Sequence, residues 1–270
     1  ATGSGKSTTI ASMLDHRNSN RAGHILTVED PIEFLFKHKK SIVNQREIGM
    51  DTQDWASALK NAMRQAPDCI LIGEIRDKET MQAAIAYAQT GHLCLGTLHA
   101  NNSYHALNRI INFFPLENRT SLNLDLSVTL KAIISQRLVR KPDGKRMPTC
   151  EVLLNTRHIQ ELIERGEVQA IKDAMEQTLA PGSQTFEQDL FRLYRESTIT
   201  LDEALANSDS PTNLSWLINN SELTVEKKEL KRPDSPLEFG TDSQNGGSSF
   251  KEFTLSLSDA DEDDENKEET

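Results

Sequence analysis

Three observations predict an α/β fold, a parallel sheet with helices packed on its faces. Gly3-Ser4-Gly5-Lys6-Ser7-Thr8-Thr9 runs without a break into the helix-like stretch 10–16. Three short apolar runs, residues 24–28, 69–73 and 92–99, each end in acids or in histidine. Between them lie segments whose apolar residues recur at helical spacing. Short apolar runs alternating with amphipathic helices are the pattern of buried parallel strands joined by crossover helices.

The first stretch has the form of a phosphate-binding loop, G-x-x-x-x-G-K-[ST], of which Gly5-Lys6-Ser7 is the end. The first glycine of that pattern falls just before Ala1. Gly3 and Gly5 allow the backbone to turn its N–H groups inward, and the following helix N-terminus adds partial positive charge. Lys6 would reach the β- and γ-phosphates of a nucleotide, and the Ser7 hydroxyl would ligate Mg²⁺. A Gly/Ser turn that merely caps a helix is the competing reading. Such a loop normally follows a strand, so the chain reads as starting inside a domain, with at least one strand upstream.

Residues 24–28 are β-branched and apolar and empty into Glu29-Asp30-Pro31-Ile32-Glu33-Phe34. In open parallel sheets the ligand lies at that carboxyl edge. Crowded carboxylates are costly unless a cation or a proton neutralises them; a solvated acidic turn is the alternative. Residues 37–53 are polar and basic, with no strand or helix assigned. The segment 54–65 is helical, with Trp55, Ala58, Leu59, Ala62 and Met63 on one face and Asp54 as its cap. Cys69-Ile70-Leu71-Ile72-Gly73 is the strongest strand signal and ends in Glu74-Ile75-Arg76-Asp77. A strand ending in an acid downstream of a phosphate loop has the shape of a Walker B element, whose carboxylate supports Mg²⁺ or its water. Here Gly73 holds the usual Asp position and the acid is Glu74.

A helix over 78–90 with Met81, Ala84, Ile85 and Ala88 on one face stops at Gly91, and the next strand ends in Thr97 and His99. His99 thus falls at the same edge as Glu33 and Glu74, where a histidine can sense a γ-phosphate. Helices follow at 103–113 and at 117–136, the latter from the spacing of Leu122, Leu126, Leu130 and Ile133. A Pro-Asp-Gly turn at 142–144 precedes a strand at 148–154. Residues 156–206 read as short helices.

Composition bounds the rest. Hydrophobic residues make up 36% of the 270, low for a wholly packed chain. Of the net charge of −11, residues 221–270 carry most, with 15 acids against 6 bases; the preceding 220 residues hold 26 and 24. This tail, with Asn245-Gly246-Gly247-Ser248-Ser249 and an acid run at 261–265, has too little apolar surface to offset ordering entropy and is expected to be disordered. The near-neutral body argues against a nucleic-acid surface. Cys69, Cys94 and Cys150 form no C-x-x-C pair; the first two lie in strand-like runs and read as buried reduced thiols. No apolar run reaches the ~18 residues of a membrane span.

Four blocks together resemble the motor ATPases of the type II secretion and type IV pilus superfamily, over residues 1–140. Gly3 to Thr9 is similar to their Walker A, Ile25 to Phe34 to their Asp box, Leu71 to Asp77 to their atypical Walker B, and Thr90-Gly91-His92 through His99 to their His box. Within it the retraction branch, the PilT/PilU type, fits best, from Asp30-Pro31-Ile32-Glu33-Phe34 followed by Val43-Asn44-Gln45-Arg46-Glu47. His158-Ile159-Gln160-Glu161-Leu162-Ile163 stands where the PilT kind has Ala-Ile-Arg-Asn-Leu-Ile. That departure, with the acidic tail, points to the accessory PilU kind.

The resemblance implies a RecA-like core over 1–155, a helical subdomain over 156–220 and a disordered tail over 221–270, with an N-terminal domain upstream. It implies ATP and Mg²⁺ as cofactors, with Gly3, Ser4, Gly5, Lys6, Ser7, Thr8, His92 and His99 binding nucleotide. It makes Glu33 and Glu74 catalytic, Glu33 polarising the attacking water and Glu74 assisting, through water, the metal that Ser7 ligates. It implies a homo-hexamer, an association with a PilT-type ATPase or both, contact with the pilus platform protein and a cytoplasmic place at the inner-membrane base of the pilus. The alternatives are an assembly or secretion ATPase, or a weakly hydrolysing interaction subunit.

Overall fold

The structure is a computed structural model that describes residues 3–178 and 180–229. The expectation of a disordered tail falls largely on 230–270, outside the described residues. In chain order the elements are α1 (Lys6–Asn20), β1 (Gly23–Glu29), β2 (Ser41–Glu47), α2 (Trp55–Met63), β3 (Cys69–Ile72), α3 (Lys78–Gln89), β4 (Leu93–Gly96), α4 (Ser103–Asn112) and α5 (Arg119–Thr129). Then come β5 (Ala132–Arg140), β6 (Arg146–Leu154), α6 (Arg157–Arg165), α7 (Ile171–Gln177), α8 (Phe186–Arg195), α9 (Leu201–Ala206) and α10 (Pro211–Glu229).

The predicted parallel sheet is present, flanked by helices. Its order is β2-β1-β3-β4 and every pairing in it is parallel. Side chains alternate across it. Ile25, Val43, Cys69 and Leu71 pack with Leu14 of α1 on one face. Leu26, Val28, Ile70 and Ile72 pack on the other with Ala58, Leu59 and Ala62 of α2 and Met81, Ala84 and Ile85 of α3. Covering both faces is why β3 reads as unbroken apolar sequence. Burial holds the Cys69 thiol up at about 11 and that of half-buried Cys94 at about 12, so both stay protonated.

Helix starts follow local chemistry. The Asp54 side chain accepts from Ser57 N at 2.7 Å, capping α2 as its sequence predicts. Asp77 and Thr80 close a reciprocal capping box on α3. The β1–β2 crossover uses no helix. Residues 30–40 run back across the sheet, held by Phe36 N donating to Gln45 Oε1 at 2.9 Å and Lys40 N to Asn18 O at 2.9 Å. This puts Glu33 on a tethered loop at the carboxyl edge.

Three elements differ from expectation. β2 lies within 37–53, a mostly polar stretch in which no strand was expected; it pairs along β1 from Gly23↔Ser41 to Glu29↔Glu47, and as an edge strand it buries only Ser41 and Val43. The helix expected over 117–136 ends at Thr129, because Leu130 takes an extended ψ of 136°. Ile133 then enters β5, which pairs antiparallel with β6 from Ala132↔Leu154 to Arg140↔Arg146. The Pro-Asp-Gly turn closes this hairpin, with Gly144 at φ 80° and its N–H on Lys141 O at 2.9 Å. Third, α10 continues to Glu229, past the expected start of the tail. It adds Leu214 and Ile218 to a cluster with Val139, Phe186, Leu190, Leu193, Ile199 and Ala204. Among the described residues no helix is long and apolar enough to cross a membrane.

Candidate active site

The carboxyl edge of the sheet gathers most of the sequence-predicted residues. The phosphate loop enters α1 through Gly3 and Gly5, at φ 74° and 85°, left-handed angles that glycine adopts without a Cβ penalty. Gly5 is the N-cap of α1, so Lys6, Ser7 and Thr8 make its first turn, where N–H groups lack intrahelical partners. Ser4 is buried, Lys6 and Ser7 are half-buried and Thr8 is exposed.

Ser7 Oγ donates to Glu33 Oε1 at 2.8 Å. This bond joins the phosphate loop to the acidic loop after β1, and only the fold brings the two together. Of the other acids there, Glu29 accepts from Thr27 Oγ1 at 2.6 Å and from Gln45 Nε2 at 3.2 Å, which fixes it against the sheet.

Glu74 is held on both sides. Its Oε1 lies 3.0 Å from His99 Nε2, and Arg76 Nε donates to its Oε2 at 2.6 Å. Arg76 also reaches Asp30 Oδ2 at 3.7 Å, bridging the acidic loop to the end of β3. The Glu74 hydrogen bond is the main cause that holds the Arg76 guanidinium above its ordinary pKa. The structure explains why glycine stands where an Asp was expected. A Cβ at Gly73 would lie 3.0 Å from Glu29 Cα and 3.1 Å from Val28 O, and Gly73 N donates to Val28 O at 2.7 Å. The close approach of β1 means that a side chain here would force the β1 backbone to give by a few tenths of an ångström, and the acid stands one residue later.

His92 is not brought to this edge. It precedes β4 at the opposite end, and the four residues of that strand separate it by ~3.3 Å each from the carboxyl edge. There His92 Nδ1 lies 2.8 Å from Thr90 Oγ1, and the ring sits edge-on to Tyr87 with centroids 6.0 Å apart. Within one chain it finishes the α3–β4 turn, away from the edge that carries His99.

The donor set suits Mg²⁺. Around the loop stand a hydroxyl and carboxylates, hard oxygen donors, and among the described residues no cluster of three or more His, Cys, Asp or Glu could hold a metal alone. Magnesium is commonly held by one or two protein oxygens with substrate phosphates and water, so one hydroxyl backed by acids is a fitting site. Two residues escaped the sequence reading. Arg76 was legible as a cation two residues after the strand-end acid. Gln136, whose side chain donates to Ser4 O and accepts from Thr9 Oγ1, had no distinguishing signal, since it stands between the polar Ser135 and Arg137.

Residues 1–169 match the family described as type II/IV secretion system protein. The chain is 52% identical over 219 residues to the type IV pilus ATPase PilU of Pseudomonas aeruginosa, covering 81% of this chain and 57% of that protein. It is 41% identical over 212 residues to the type IV pilus retraction ATPase PilT of the same organism, covering 78% and 62%. The solved structure of the pilus retraction motor PilT with bound ADP is similar with a TM-score of 0.74 at 46% identity, over 79% of this chain and 61% of that one. The chain therefore spans less than two thirds of the length of each of these relatives. With its phosphate loop, strand-end acids and parallel sheet, the chain belongs to the type II/IV secretion system protein family and within it is similar to PilU and PilT.

Proposed function

We propose that this chain carries the ATP-hydrolysing core of a hexameric motor for type IV pilus retraction, of the accessory PilU kind. The observation that carries the reading is the 2.8 Å bond from Ser7 Oγ to Glu33 Oε1. It puts a carboxylate beside the hydroxyl that a phosphate loop offers to a metal-bound triphosphate. The printed names of the relatives, and the ADP bound to PilT, support the nucleotide and the process.

In this reading Gly3, Ser4, Gly5, Lys6, Ser7 and Thr8 cradle the phosphates, with Lys6 on the β- and γ-oxygens. Ser7 would hold Mg²⁺, with Glu74 in support. Bound there, the metal neutralises charge between the phosphates. Glu33 orients the attacking water and takes its proton. His99 and Arg76 fix the Glu74 carboxylate, so that loss of the γ-phosphate can be felt at the end of β4. The same reading divides the chain into a core over 1–155, a helical subdomain over 156–220 and an acidic tail. It places the motor in the cytoplasm at the inner-membrane base of the pilus, against the platform protein and a PilT-type ATPase.

The test is ATP turnover of the full-length protein, alone and mixed with a PilT-type ATPase. Turnover alone supports an independent motor, and turnover or stimulation only in the mixture supports the accessory role. Failure to bind Mg-ATP in either setting would refute the nucleotide reading itself.

A further inference from the structure

Gln136 on β5 makes two hydrogen bonds around the phosphate loop. Its Nε2 donates to Ser4 O at 2.7 Å, and its Oε1 accepts from Thr9 Oγ1 at 2.7 Å. A Cβ built on Gly5 would lie 2.8 Å from the same Nε2, so a side chain there would displace the amide. The two bonds span the bend, one on the loop before Gly5 and one on the first turns of α1. A carboxamide can donate to a carbonyl and accept from a hydroxyl at once; a carboxylate or an apolar chain cannot do both.

The strand bearing Gln136 is itself anchored. Gln136 pairs across the hairpin with Cys150, whose N–H donates to Asp189 Oδ2 at 2.9 Å and whose carbonyl accepts from Gln184 Nε2 at 2.9 Å. On the opposite face of β5, Arg137 pairs with Asp209 and donates to Asn207 O, and its guanidinium carbon lies 4.0 Å from the Phe186 ring centroid. A phosphate loop binds through main-chain N–H groups, so its affinity depends on how well the loop is held before the ligand arrives.

We propose that Gln136 is a positioning residue of the nucleotide site, holding the phosphate loop in its binding shape by bridging the Ser4 carbonyl and the Thr9 hydroxyl without touching the nucleotide. This rests on the reading of that loop as a nucleotide site.

The test is Mg-ADP titration calorimetry on the full-length protein, comparing wild type, Gln136→Leu, Thr9→Val and the double variant, with urea unfolding of each. Losing two hydrogen bonds that act on the loop predicts about tenfold weaker binding for Gln136→Leu and about threefold for Thr9→Val. The double variant should bind no more weakly than Gln136→Leu, because both changes break the same bridge. Unfolding midpoints should stay together, since the hairpin keeps its own pairing. Should Gln136→Leu not fold, Thr9→Val carries the test, and wild-type affinity in it overturns the proposal. Gln136→Leu binding within twofold of wild type, or fully additive losses in the double variant, also overturns it. Wild-type protein that does not bind Mg-ADP overturns the nucleotide reading and this proposal with it; wild-type binding with an unaffected Gln136→Leu overturns this one alone.

Discussion

Replacing Glu33 by Gln separates chemistry from binding at this site. The side chain keeps its shape, and its Oε1 can still accept from Ser7 Oγ, 2.8 Å away in the wild type. What is lost is the negative charge and the ability to take a proton. A charge-assisted hydrogen bond becomes a neutral one, roughly half as strong. The ground-state effect is small, and we expect affinity for Mg-ATP to stay within about threefold, against the tenfold that ~1.4 kcal/mol would give. Positioned acid–base assistance contributes about 10²–10⁴ in rate, so hydrolysis should fall at least a hundredfold, about 3 kcal/mol or more of barrier. The assay is coupled ADP release by the full-length assembly, beside calorimetry with a non-hydrolysable analogue. Equal losses in binding and turnover would make Glu33 a structural acid that merely holds Ser7. Retained turnover would pass the role to Glu29, Asp30 or Glu74. Among these, Glu74 is engaged by Arg76 and His99 and Glu29 by Thr27 and Gln45, which is why Glu33 is tested first.

Three further outcomes are expected. Lys6→Ala removes the phosphate-directed cation and should abolish Mg-ATP binding by the full-length protein; unchanged calorimetric affinity would defeat that role. Leu214, fully buried in the cluster around Phe186, should cost about 2–5 kcal/mol in urea unfolding when cut to Ala, whereas a chain ending at Glu229 should keep its unfolding midpoint and turnover. Glu151 is 3% exposed and accepts from Ser103 N at 2.6 Å; burial raises its carboxyl above the ordinary 4.5, the Ser103 bonds only partly opposing this. The native state then binds its proton more tightly than the unfolded chain, so this group's contribution to stability falls as pH rises from about 4.5 through the raised value. Glu151→Gln should lose that decline and gain on wild type between pH 4.5 and pH 7 in urea midpoints; a constant or shrinking gap would contradict the sign.

Strands and helices with a local pattern were legible before the fold was known. β1, β3 and β4 are buried on both faces or end in chemistry-bearing residues, and α2 and α3 carry their own caps in Asp54 and Asp77. The end of the phosphate loop and the acids after β1 and β3 were legible for the same reason, since each signal lies within a few consecutive residues. Tertiary structure alone decided β2 and β5. In Ser41–Glu47 the apolar signal is only Ile42 and Val43, and it is the ladder to β1 that makes the segment a strand. In Ala132–Arg140 the helical spacing of Leu122, Leu126, Leu130 and Ile133 continued past Thr129, but pairing with β6 outweighed that local preference. Spatial joins were likewise invisible in sequence: Ser7 to Glu33, Arg76 between Asp30 and Glu74, Gln136 under the phosphate loop, and His92 at the far end of β4. Periodicity reports which face of an element is buried, whereas a site depends on which loops meet at one edge of a sheet, and that is set by strand order and register.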